Sequence, residues 1–268
     1  MTGTSTVSRT ITFAPVSSLT VSVTASGSIS AGSVTWTDIS GQLALNPVYY
    51  FPHLAFGAGY QTTLTYVNYS TQAVSCQTRF LSDTGAALTV PFTDGTGSSR
   101  TDNLQPGASI HVQTSAPVST NGGGWAEAQC TGPIQASLLY RYFNNGTPQG
   151  EAGVNAMSAP AREFVTFAES HTGIAWANPS SVSASVTITA IDAATGRSQG
   201  STTFNLAPNA HGANNVGPLL SVPGTFSGSV QITSTAPIVS LSLNAEAFPV
   251  FSSLPPGDLA DGTTLNTP

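Results

Sequence analysis

Asp83-Thr84-Gly85 is the first group of residues in the chain with types suited to chemistry, and the apolar run Phe80-Leu81-Ser82 leads into it. An Asp-Thr-Gly turn after an apolar strand can supply one half of a carboxylate dyad, in which two carboxylates share one proton. A related stretch further on, Ala194-Thr195-Gly196, has no Asp at the equivalent point. One chain therefore lacks the second carboxylate, and a hairpin turn with Gly at positive φ explains the triplet better.

Four histidines, His53, His111, His171 and His211, are the next candidates. No two share a short metal-ligand spacing, and none has a carboxylate beside it in sequence. They are expected to be solvated or to sit at strand ends, and no metal or other cofactor is expected. The run Phe92-Thr-Asp-Gly-Thr-Gly-Ser-Ser-Arg-Thr-Asp-Asn103 holds Asp94 and Asp102 among hydroxyls, which suits calcium in ligand type but not in spacing. A polar loop is the expectation there. Paired carboxylates for glycoside hydrolysis can lie far apart in sequence, but Glu127 and Glu246 both fall in strand-like runs. There is no Gly-x-Ser-x-Gly elbow and no glycine-rich loop opening a helix. The chain is expected not to be an enzyme.

Aromatic rings offer a different chemistry. Tyr49-Tyr50-Phe51, Tyr60, Tyr66, Tyr69 and Tyr140-Arg-Tyr-Phe143 are candidates for stacking on sugar faces. At alternating strand positions such rings are more often core, and Tyr66 aligns with Trp176 in the internal similarity described below. The sequons Asn68-Tyr-Ser70 and Asn145-Gly-Thr147 matter only where such sites are glycosylated.

The composition narrows the partners. The 268 residues include six basic side chains, all Arg, against twelve acidic ones, for a net charge of −6. Charged residues make up 7% of the chain, against a usual share of about 25%. Ser and Thr supply about a quarter. Six scattered Arg cannot form the basic patch that nucleic acid requires. The absence of Lys excludes a lysine nucleophile and a P-loop. No apolar run reaches the length of a membrane span, so no membrane insertion is expected. The first 30 residues lack the basic start and apolar block of a signal peptide.

Cys76 and Cys130 are the only cysteines, each in a strand-like run. One intradomain disulfide, in an oxidising compartment, is the favoured reading; two buried free thiols are the alternative.

An internal similarity organises the chain. Leu64-Thr-Tyr-Val-Asn-Tyr-Ser70 matches Ile174-Ala-Trp-Ala-Asn-Pro-Ser180, and Phe80-Leu-Ser-Asp-Thr-Gly85 matches Ala190-Ile-Asp-Ala-Ala-Thr-Gly196. Leu104-Gln-Pro-Gly107 matches Leu206-Ala-Pro-Asn209, and Thr131-Gly-Pro-Ile134 matches Thr235-Ala-Pro-Ile238. Runs such as Ser183-Ala-Ser-Val-Thr-Ile-Thr-Ala190 alternate with period two, and no stretch of ten residues has helical periodicity. The expected fold is all-β. Two tandem immunoglobulin-like β-sandwiches from an internal duplication follow an N-terminal strand-rich extension. The expected boundaries are 1–47 for the extension, 48–160 and 161–250 for the sandwiches, and 251–268 for a linker-like or frayed tail. In the second copy, Val186 or Thr187 and Ser234 fall near the places of the two cysteines.

The stretch Phe51-Pro-His-Leu-Ala-Phe-Gly-Ala-Gly-Tyr60 through Val67-Asn68 resembles a repeat of large secreted proteins from soil bacteria. The resemblance covers mainly residues 50–90 and, more weakly, 162–250, where Arg162-Glu-Phe164 replaces the Phe-Pro-His start. It implies a secreted β-sandwich module and brings no known activity or site.

The extension holds strand-like runs with Val7, Ile11 and Phe13, then Leu19, Val21 and Val23, then Val34-Thr-Trp36. Two or three strands cannot bury a core alone. They are expected to add to a sheet edge, in the same chain or the next. The expected role is a non-catalytic extracellular or cell-surface structural protein that associates head to tail with itself in a filament or surface layer. A monomeric carbohydrate-binding or adhesive module with a glycan surface is the alternative.

Overall fold

The computed structural model describes residues 46–115 and 122–259. The proposed strand-addition residues Val7, Ile11, Phe13, Leu19, Val21 and Val23 lie outside the described residues, as does Val34–Trp36. The described residues are all-β apart from one five-residue helix.

The first half runs β1 (Val48–Phe56), β2 (Tyr60–Val67), β3 (Val74–Leu81), β4 (Val90–Phe92), β5 (Gly95–Gly97), β6 (Ser99–Leu104), β7 (Ser109–Gln113), β8 (Gly122–Cys130), β9 (Gln135–Asn144) and β10 (Thr147–Asn155). The second runs β11 (Ala161–Glu169), β12 (Gly173–Ala177), β13 (Ala184–Asp192), β14 (Ser198–Leu206), β15 (His211–Asn215), α1 (Val216–Leu220), β16 (Ser227–Asn244), β17 (Ser252–Ser253) and β18 (Gly257–Asp258).

Alternation sets each strand's inner face. In β3, Val74, Cys76, Thr78 and Phe80 are buried while Ser75, Gln77 and Arg79 point outward. In β13, Ala184, Val186, Ile188 and Ala190 are fully buried. Each large side chain so withdrawn contributes about 1.5–3 kcal/mol. Turn chemistry matches the hairpins: Asn145 and Gly146, both at positive φ, join β9 to β10.

The first half forms two antiparallel sheets, in the orders β1-β8-β3-β6 and β10-β9-β2-β7. Phe51, Leu64, Tyr66, Phe80 and Leu138 belong to its core. In the second half the order β14-β13-β16-β11 repeats the first sheet's arrangement, and β12 lies between β15 and β16 as β2 lies between β7 and β9. The eighteen-residue β16 serves both sheets, pairing with β11 and β13 early and with β12 late. Phe164, Ile174, Trp176, Ile188 and Ile232 belong to the second core.

Cys76 and Cys130 are joined in a disulfide between directly paired positions of β3 and β8. The free-thiol alternative is thereby removed. The second half places Val186 opposite Ser234 at the corresponding point.

Three expectations need correction. The stretch 92–103 is not one polar loop, because β4 and β5 pair and β6 joins the first sheet. Within it, the Arg100 guanidinium bonds Asp102 at 2.8 Å and Asp94 at 3.3 Å, so an internal cation already holds both carboxylates. Its hydrogen bonds keep the Asp94 carboxyl below its usual range. Glu246 lies past the end of β16 and receives the backbone N–H of His171. The tail is packed rather than frayed over its described part. Phe251 is buried in the first core, while β17 pairs with β16 and β18 with β11. Phe251 is apolar enough to anchor the segment, and Ser252–Ser253 and Gly257–Asp258 satisfy edge backbone groups.

Candidate functional site

The two halves meet along a packed seam. Leu81, Trp125, Ala177 and Val239 form a small apolar cluster there, with Tyr50 and Met157 against it. The 207–211 turn of the second half docks beside β3 and β8. Asn209 adopts a left-handed conformation, and its carbonyl accepts the Trp125 indole N–H at 2.7 Å. Its side-chain oxygen accepts from Arg79 at 3.1 Å, and Arg79 also bonds Glu127. The Asp83–Gly85 turn closes on the same segment. Gly85 has a φ of +82°, and a Cβ there would lie 2.6 Å from the Pro208 carbonyl. Glycine is thus required twice, for conformation and for approach.

This docking joins three residues that the sequence holds far apart. His211 donates its backbone N–H to the Asp83 carbonyl, and its Nδ1 lies 2.8 Å from Asp83 Oδ1. His211 Nε2 lies 3.2 Å from His53 Nδ1. His53 sits where the β1–β8 register shifts between Phe51 and Leu54, and such a bulge re-aims a side chain. The Tyr140 hydroxyl fixes the backbone there by donating to the His53 carbonyl at 2.7 Å.

Proton positions follow from the partners. A carboxylate only accepts, so His211 carries its proton on Nδ1. Its Nε2 then accepts from His53 Nδ1–H. His53 Nε2 is left as an acceptor with no hydrogen-bond partner among the described residues. Burial, reinforced by His211, pushes the His53 pKa down to about 3. Burial lowers His211 too, against opposing pulls from Asp83 and the Pro52 carbonyl. Both rings are therefore neutral at pH 7.

The arrangement is a hydrogen-bonded chain rather than a metal centre. The His53 and His211 ring centroids are 5.3 Å apart with planes 18° from parallel, so the rings meet nitrogen to nitrogen, nearly end-on. Their lone-pair axes are close to collinear, whereas a shared metal needs them to converge. Among the described residues no group of three or more His, Cys, Asp or Glu could hold a metal ion. Asp83 faces an imidazole rather than a second carboxylate, so no shared-proton dyad is built there.

The chain of side chains borders a cleft of about 590 Å3 between the halves. Tyr60, Tyr140, Asn214, Asn215 and Phe251 line it with His53. Sequence reading singled out Asp83, His53 and His211 separately and had no signal that joined them. The other histidines stay apart: His111 meets Thr65, and His171 meets Glu246. Of the aromatic candidates, Phe51, Tyr66 and Tyr140 are buried. Tyr49 accepts the Ile134 N–H with its hydroxyl, and Tyr60 packs on Tyr142, which packs on the half-exposed Phe248. Tyr69 is exposed.

Among the described residues no helix is long and apolar enough to cross a membrane. In comparisons with known proteins, no protein family, curated protein or solved structure matches this chain.

Proposed function

We propose that the protein is a non-catalytic extracellular structural subunit. On this reading it is built from two immunoglobulin-like sandwiches that arose by duplication, and it assembles head to tail by N-terminal strand addition. The observation that carries the reading is β14. Among the described residues it ends its sheet and pairs only with β13, and it runs nine residues, Ser198–Leu206, with no charged residue and no proline. Isolated globular proteins blunt such an edge with Lys, Pro or a cover, because its free N–H and C=O groups recruit further strands. The alternating Val, Ile and Phe positions of residues 7–23 have the pattern an added strand needs.

Two further features support it. The outer face beside this edge carries hydroxyls and amides in register, with Thr187 against Thr203 and Thr233, and Thr189 against Ser201 and Gln231. Packing subunits on such a face desolvates few ions. The disulfide fits an oxidising compartment outside the cell. A head-to-tail contact generates an open filament when its rotation does not close into a ring.

Electron microscopy and light scattering of the full chain over a range of concentrations test the proposal. Filaments are expected for the full chain, and folded monomers for the chain lacking residues 1–45. The pair Ser201→Lys and Thr203→Lys on β14 is expected to suppress assembly without unfolding. Monodisperse full chain, or filaments that survive both changes, overturn it.

A further inference from the structure

The cleft between the halves offers a surface chemistry that a purely structural subunit does not use. Its volume of about 590 Å3 falls within the roughly 300–1,000 Å3 of small-molecule sites. We propose that it binds a neutral, hydroxyl-rich molecule with one apolar face, the chemistry of a pyranose sugar. This is independent of the assembly reading, since β14 does not line the cleft.

Three observations select that chemistry. The first is the direction of the hydrogen bonds. Asp83 at the outer end of the chain dictates that His53 presents a bare Nε2, which accepts a hydrogen bond from a ligand hydroxyl. The second is charge. Asp83 is the only Asp, Glu, Lys or Arg among the described lining residues, and its carboxylate is engaged with His211. Nothing there pairs with an anion, and the one negative charge repels it. The third is the remaining wall. The exposed side-chain amides of Asn214 and Asn215 supply donors and acceptors for adjacent hydroxyls. Asn214 Oδ1 receives the Asn215 N–H, and the side-chain NH2 groups have no hydrogen-bond partner among the described residues. The half-buried Tyr60 ring supplies apolar surface for the C–H face of a sugar.

Saturation-transfer NMR and titration calorimetry on the full chain test this. The probes are neutral methyl hexosides, neutral di- and trisaccharides, glucuronate and glucosamine. Saturable binding of a neutral sugar is expected, with glucuronate at least about tenfold weaker. Asn215→Ala and Tyr60→Ala, which change an exposed and a half-buried wall residue, are each expected to weaken it about tenfold at unchanged thermal stability. Methyl hexosides that bind as well as oligosaccharides would identify a free-sugar site, and a preference for oligosaccharides a glycan-terminus site. Either supports the proposal. It is overturned if no neutral sugar saturates, if glucuronate or glucosamine binds more tightly, or if both substitutions leave binding unchanged. Filament formation is read separately, so a failure here leaves the assembly proposal intact.

Discussion

Asn68 and Asn178 make the same five hydrogen bonds at the same place in the two halves of the chain. The Asn68 amide donates to the Gln72, Leu104 and Gln105 carbonyls, and its oxygen accepts from the N–H and hydroxyl of Ser70. The Asn178 amide donates to Val182, Leu206 and Ala207, and its oxygen accepts from the N–H and hydroxyl of Ser180. Both side chains are fully buried. Each one ties the end of a strand to a distant turn, and the bonds to the Leu104 and Leu206 carbonyls are buried.

Removing either carboxamide takes its donor from a buried carbonyl, that of Leu104 or of Leu206. Asn68→Ala and Asn178→Ala are each expected to cost about 2–4 kcal/mol in urea unfolding. Aspartate does not rescue, because it restores the acceptor and not the donors. A loss under about 1 kcal/mol would show that water replaces the amide.

The cysteine pair and its counterpart give a second prediction. Replacing Cys76 and Cys130 together by Ala is expected to cost about 4 kcal/mol for a separation of 54 residues in the chain-entropy account. Val186→Cys with Ser234→Cys places two thiols at the matching cross-strand pair, where Ser234 Oγ is buried without a partner among the described residues. Mass spectrometry under non-reducing conditions should find them bonded. Persistent free thiols would mean that the second half does not share the first half's local geometry.

Acid should weaken the seam. The His53 pKa is about 3 in the folded chain, against 6.5 in the unfolded one, so the unfolded state binds the extra proton between those values. Stability is therefore fully present above pH 6.5 and falls as the pH drops toward 3. Between pH 6.5 and pH 4 the loss from this one group is up to about 3 kcal/mol. His211, also lowered, acts in the same direction. The urea midpoint followed over that range should fall steeply in the native chain and less in His53→Phe. Parallel profiles would dissociate His53 from acid sensitivity.

Gly85 and Trp125 test the docking of the 207–211 turn. Gly85→Ala drives a methyl group against the Pro208 carbonyl at a positive φ, with an expected cost of about 2–4 kcal/mol. Trp125→Phe removes the donor to the Asn209 carbonyl at about 1–3 kcal/mol. Both should shift the His53 and His211 imidazole NMR signals, although neither residue touches those rings through a hydrogen bond. Unmoved signals would show that the two histidines are held without the turn.

The sequence by itself determined the local geometry. Period-two alternation in β3 and β13 names their buried faces, since a strand shows every second side chain to its core. Leu104-Gln-Pro-Gly107 and Leu206-Ala-Pro-Asn209 mark two similar turns, and Gly107 and Asn209 are both left-handed there. The pairing of Tyr66 with Trp176 placed two aromatics in cores, where both are buried. What only the tertiary structure decided is how the halves meet. Asp83 and His53 reach His211 across 128 and 158 residues, from a turn, a bulge and a strand start. Alternation reports which face of a strand is apolar and carries no information on which turns of the second half touch the first. Phe251 reads as one more apolar residue in a tail, and only the opening in the first core gives it a place. The cleft and the neutral histidine at its wall follow from that contact, because burial and the order of hydrogen bonds exist only once the seam is closed.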